Sequence, residues 1–129
     1  MRHFLSTSLT LVLVFLSSVL LSQNLTSSAD QYFERGEQQL LSSKHDSSIY
    51  NFESAKNLYF TQKNYPQYVA SLNKLAENYS ATFQLDAALD NATKALEDAN
   101  QYISPTSVEA AIATNNIGNI YYLRGQHEK

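Results

Sequence analysis

Asn115-Asn116-Ile117-Gly118-Asn119-Ile120-Tyr121-Tyr122 is the stretch that decides the fold. Ile117 sets a large apolar residue beside the smallest one, and Tyr121 follows three residues after Gly118, about one helical turn on. Leu75-Ala76 with Tyr79 repeats the arrangement, and Arg35-Gly36 with Gln39 repeats it more loosely. The small residues Gly36, Ala76 and Gly118 are spaced by 40 and 42. A second set of slots keeps the same register. Ser48 and Ala88 each lie twelve residues after the small residue, Phe52 and Ala92 four further on, and Ala55 and Ala95 three beyond those. Small residues at such points let two antiparallel helices approach closely, and the large ones fill the space between one hairpin and the next.

Working outward, the remaining chain supplies helices to match. Ser28-Ala29-Asp30-Gln31 has capping-box spacing and predicts a helix over about 29–42. Asp46 is a candidate N-cap for a second helix, about 47–62, with Ile49, Phe52, Ala55 and Tyr59 on one face. Pro66 suits the first turn of a third, running to about Thr82 with Val69, Leu72, Leu75, Ala76 and Tyr79 aligned. Asp86 is the candidate cap of a fourth, about 87–102, with Leu89, Ala92, Ala95, Leu96 and Ala99 inward. Thr106-Ser107-Val108-Glu109 reads as a second capping box, and a fifth helix runs to about Leu123 with Gly125 as its stop. No stretch alternates with period two. The expected core is Tyr32, Phe52, Ala55, Leu72, Leu75, Ala76, Tyr79, Ala88, Leu89, Ala92, Ala95, Ile117 and Tyr121.

Composition removes several functional classes. The chain has 129 residues, a formal charge of −3 and no cysteine, which excludes disulfide scaffolds, thiolate metal sites and cysteine nucleophiles. A weakly acidic chain without a basic block offers nucleic acid no phosphate-binding surface. Three glycines and two prolines leave few breaks, in keeping with helices throughout.

The quoted motifs resemble the tetratricopeptide repeat family, whose pattern is W-x2-L-G-x2-Y, then A-x3-F, then P. Thr114-x2-Ile117-Gly118-x2-Tyr121 matches best, followed by Leu72-x2-Leu75-Ala76-x2-Tyr79 with Ala88-x3-Ala92-x2-Ala95. Tyr32-x2-Arg35-Gly36-x2-Gln39 with Ser48-x3-Phe52-x2-Ala55 departs at Arg35 and Gln39, as an outermost repeat can. The long period is similar to that of kinesin light chains and many bacterial repeat proteins. The resemblance implies an all-α, right-handed α-solenoid of antiparallel helix hairpins. It would hold about two and a half repeats, with units at about 29–64, 65–104 and 105–129.

It also implies a function: a non-catalytic protein–protein interaction scaffold, with no cofactor, that takes a peptide or partner segment on its concave face. In this register the first helix of each unit lines that face. Unit one offers Phe33, Glu37 and Leu40; unit two offers Asn73, Glu77 and Ser80; unit three offers Asn115, Asn119 and Tyr122. The peptide groove is therefore expected at Asn73, Glu77, Asn115, Asn119 and Tyr122. An Asn amide pairs with both N–H and C=O of a bound backbone. The lining so defined holds no Lys or Arg to clamp a terminal carboxylate. The alternative function is the sensing or regulatory part of a larger enzyme, such as a caspase-like protease or a sensor kinase lying beyond residue 129.

Residues 1–22 read as an address. Arg2 and His3 form a basic start, Phe4 to Leu21 carries no charge, and Ser22 meets the polar Gln23-Asn24. That order describes a secretory signal peptide cleaved near Ser22, followed by a linker over 23–28, and places the repeats in a secreted or periplasmic setting. Retention of the segment as a membrane anchor is the other reading.

The remaining polar residues carry less. His45, Leu85 and His127 share one slot in the inter-helix turns, which favours packing over catalysis. Asp86, Asp90, Glu97 and Asp98 spread around one helix as cap and solvated face rather than as a metal site. The sequons at Asn24, Asn78 and Asn91 read as chance matches. Gly125 to Lys129 is the turn that in the earlier units leads into a second helix. The chain is accordingly expected to continue in a longer protein, and self-association through the fifth helix is expected of it as it stands.

Overall fold

The computed structural model describes the backbone of residues 2–127, and side chains over 10–21, 23 and 28–126. It contains α1 (Arg2–Leu41), α2 (His45–Thr61), α3 (Tyr65–Ala81), α4 (Leu85–Tyr102) and α5 (Val108–His127), with no strand among the described residues. Each helix packs on the next, and α3 also packs on α5. The order is that of stacked hairpins: α1 with α2, α3 with α4, and α5 laid against the second pair.

A half-period of 20 residues accounts for the first step of the register. α2 and α3 are each 17 residues long, and each is followed by a three-residue turn. The turns are closed alike. Ser43, Lys63 and Phe83 adopt the left-handed conformation with φ of 56°, 57° and 58°. The residue after each donates its N–H five residues back, to the carbonyls of Gln39, Tyr59 and Tyr79. This is the helix-ending geometry for which glycine is the usual residue. The sequence puts β-carbons there instead, at a cost of about 1 kcal/mol each. Lys63→Gly is expected to raise stability by about 0.5–1 kcal/mol in urea unfolding. A neutral or destabilising result would show that the lysine side chain holds the turn. The second step is longer because Ile103 to Ser107 replaces the compact turn. There the Ser104 Oγ accepts the Thr106 N–H at 3.2 Å, and Ser107 caps α5 by accepting the Ala110 N–H, also at 3.2 Å.

Local signals for helix ends fared unevenly. Pro66 lies in the first turn of α3 as expected. Asp46 and Asp86 are not caps: α2 and α4 begin two residues earlier than expected, after Lys44 and Gln84, and each carboxylate sits in the first turn. A negative charge is favourable there too, facing the positive end of the helix dipole. The cap of α5 is Ser107 rather than Thr106. Gly125 does not stop α5, which continues to His127. Ser28 does not start a helix either, since α1 runs through it and through the 23–28 stretch read as a linker. That stretch contains no Gly or Pro, so nothing in it breaks a helix begun upstream.

The core lies between the hairpins. Ala29, Ala55, Tyr59, Tyr68, Val69, Leu72, Ala95, Ala99, Ala110 and Ala113 form its larger part. Ala76, Ala88, Ala92 and Ile120 form a second cluster nearer the α3–α4 turn. Of the expected core, Phe52, Leu75 and the five alanines at 55, 76, 88, 92 and 95 are wholly buried, and Leu72 nearly so. Tyr32, Tyr79, Leu89 and Ile117 are half-buried at the margins. Tyr121 is a correction: it is 57% exposed. It lies on the side of α5 that carries Gly118, where a β-carbon would meet nothing within 4 Å.

Candidate functional site

Asn78 stands at the centre of a buried polar seam joining units one and two. Its Nδ2 donates to the Ser48 hydroxyl at 2.8 Å, which leaves its Oδ1 to accept from His45 Nδ1 at 2.9 Å. Ser48 in turn donates to the Gly36 carbonyl at 2.7 Å. Asn78 and Ser48 are fully buried and His45 is half-buried. One chain of hydrogen bonds thus crosses α1, α2 and α3. In the next seam the same slots hold Leu85, Ala88 and Ile120, and Ile120 packs with Ala76, Ala88 and Ala92. The first seam is polar and the second apolar at equivalent positions. His45 has a structural role, but as a hydrogen-bond donor rather than as an apolar filler. The His127 and Asn24 side chains lie outside the described residues.

Two tyrosine–carboxylate bonds close the hairpins. Tyr59 on α2 donates to Asp30 on α1 at 2.6 Å, and Tyr68 on α3 donates to Asp98 on α4 at 2.8 Å. Burial first, and the accepting carboxylate second, push both phenols far above their ordinary range. Asp98 is only 2% exposed and also takes the Lys94 ammonium at 2.9 Å. That bond holds Lys94 above the usual lysine value. Asp98 therefore belongs to the core and not to a solvated face. Among the described residues no three His, Asp or Glu side chains converge as a metal site would require.

The residues expected to form the groove divide. Asn115, Asn119 and Tyr122 are exposed along α5, one helical turn apart from one to the next. Glu77 is half-buried, with its carboxylate 2.9 Å from the Lys74 ammonium, so a lysine sits beside the lining after all. Asn73 is a correction. It is 2% exposed, its Nδ2 donates to the Glu109 carbonyl at 3.1 Å, and Asn116 Nδ2 approaches its carbonyl at 3.3 Å. α5 settles on α3 at this point, and Asn73 satisfies the backbone there instead of meeting a partner. Phe33 is also turned inward, edge-on to Phe52 at 5.3 Å and to Tyr59 at 6.2 Å. Ser80 is buried. The sequon at Asn78 is closed by burial, and Asn91 spends its Nδ2 on the Ala87 carbonyl at 2.9 Å.

Sequence reasoning passed over two features. The aromatic group at the α2–α3 turn joins Phe60 to Tyr68 at 5.0 Å and stacks Tyr65 on Tyr102 at 4.4 Å. A cleft of about 410 Å³ opens beside unit one between Gln39, Asp46, Ser47, Tyr50 and Asn51. The spacing 46, 47, 50, 51 was the available signal for the cleft, because it forms one stripe of a helix.

Helix hairpins stacked in register, with alanine and glycine where the helices meet, define an α-solenoid repeat protein. Residues 67–129 match the family model of the tetratricopeptide repeat, which supports a tetratricopeptide repeat over that stretch. Unit one lies outside the match and rests on the register and the shared turn geometry. No curated protein and no solved structure matches the chain.

Proposed function

We propose that the chain is a non-catalytic interaction scaffold that holds a partner segment along the α5 side of its concave face. Tetratricopeptide repeats are in general protein-interaction modules. The observation that carries the finer reading is the exposed stripe Asn115, Asn119 and Tyr122. The two amides offer paired donor and acceptor groups to an extended backbone, and the phenol adds an amphipathic ring beside them. Glu77, in the slot of α3 equivalent to Asn119, is paired with Lys74, so a partner segment needs no large charge of its own.

The test is panning of a random peptide library against the full chain and against its Asn115→Ala/Asn119→Ala/Tyr122→Ala variant. The wild type should enrich peptides that the variant releases, while the melting temperature of the two stays the same because all three side chains are exposed. Retention of the same peptides by the variant would remove the α5 stripe from the reading.

The location we propose is extracytoplasmic, through a signal peptide ending near Ser22. Leu11, Phe15 and Leu21 support it, being 71, 70 and 62% exposed on α1 and so contributing nothing to the repeat core. Among the described residues no helix is long and apolar enough to cross a membrane.

A further inference from the structure

We infer that the cleft beside unit one, between the end of α1 and the start of α2, is a binding site for a neutral saccharide. It lies apart from the α5 stripe and does not depend on the peptide-binding reading. Asp46, Ser47, Tyr50 and Asn51 come from one stripe of α2 and lie with Gln39 on α1 around a shallow, open depression of about 410 Å³, wide enough for a ligand that is held along one face.

The chemistry of the lining selects the ligand. No lysine or arginine lines the cleft and one carboxylate does, so an anion gains nothing there. Four of the five side chains are neutral hydrogen-bonding groups. Asn51 Nδ2 donates to Gln39 Oε1 at 2.7 Å and to the Ser47 carbonyl at 2.9 Å. That pairing fixes the orientation of both amides and turns the ends it does not use, Gln39 Nε2 and Asn51 Oδ1, into one donor and one acceptor of known position. Asn51 is 6% exposed, so its amide is held rather than mobile. The Asp46 carboxylate and Ser47 hydroxyl extend the polar wall. Tyr50 is 66% exposed, which leaves its ring open for stacking. A sugar ring matches this combination. Its C–H face lies on an aromatic ring, while its hydroxyls, each donor and acceptor at once, need planar amide and carboxylate partners at their edge.

The test is a titration of the isotope-labelled full chain with chitobiose, cellobiose and maltose, followed by amide shifts. At least one disaccharide should give saturable shifts at Gln39, Ser47, Tyr50 and Asn51, and none at Asn115 or Asn119. Tyr50→Ala should weaken that affinity by about tenfold or more, and Tyr50→Phe should keep it. The exposed position of Tyr50 leaves folding intact in both. Asp46→Asn should retain binding, since an amide can replace the carboxylate toward a hydroxyl. Loss of binding in Asp46→Asn would overturn the reading of the wall as a set of hydrogen-bonding groups in which an amide can replace the carboxylate. Absence of saturable shifts with all three sugars, or affinity unchanged by Tyr50→Ala, would overturn it outright.

Discussion

Alanine in place of Gly36 should destabilise the fold by about 1–3 kcal/mol, although the same change in the middle of an ordinary helix gains close to 1 kcal/mol from helix propensity. The β-carbon would lie 2.9 Å from both Cδ1 and Cε1 of Phe52 and 3.0 Å from Cζ. The ring has no room to move: Phe52 is fully buried, and Phe33 packs edge-on against it at 5.3 Å. The strain therefore falls on the approach of α1 to α2. Gly118 is its counterpart in the third unit, and a β-carbon there meets nothing within 4 Å. Gly118→Ala should stabilise α5 by about 0.5–1 kcal/mol. Urea unfolding of the two variants, followed by circular dichroism, reads the difference in sign. Stabilisation by both changes would mean that α1 and α2 are not held as closely as the structure has them.

Asn78→Ala should cost about 2–3 kcal/mol, the largest loss expected from one polar side chain in this protein. It removes the acceptor of His45 and the donor to Ser48 together, and it leaves a gap in a fully buried position. Ser48 keeps its bond to the Gly36 carbonyl, so the network is cut and not abolished. Combining Asn78→Ala with Ser48→Ala should cost less than the sum of the two singles, by about 0.5 kcal/mol or more, because the residues share one bond. Strict additivity, or a loss below about 0.5 kcal/mol for Asn78→Ala, would show that the seam is hydrated and carries little energy. The reverse exchange, Ile120→Asn, should be destabilising. Its surroundings are mainly apolar, with Ala76, Ala88 and Ala92 buried beside it and Leu85, Leu89 and Ile117 packed against them. The two seams are thus not interchangeable.

Much of the architecture was legible because it depends on local, repeated information. The slots of Gly36, Ala76 and Gly118, with Ser48, Ala88, Phe52 and Ala92, predicted which faces meet. Gly36, Ser48, Phe52, Ala76, Ala88 and Ala92 are buried, while Gly118, in the same slot as Gly36 and Ala76, is exposed and meets no neighbouring helix there. Helix ends were less legible, since a carboxylate serves equally as a cap or in the first turn. Asp46 and Asp86 took the second place, one residue inside helices that start two residues before the expected positions. The groove was legible only in part. Asn115 and Asn119 are exposed as expected, while Asn73, an identical side chain in the equivalent slot to Asn115, is buried under α5.

What the sequence determined by itself is the helices, their pairing into hairpins and the repeat register. These follow from side-chain size at a fixed period, which one chain carries along its length. What only the tertiary structure decided is which polar groups are inside. Asn78 meets Ser48 from 30 residues away, and Asn73 meets Glu109 from 36. An asparagine has the same donor and acceptor whether it faces water, a partner or a neighbouring helix. Its role is set by what packs over it, and that depends on the geometry of helices distant in the chain.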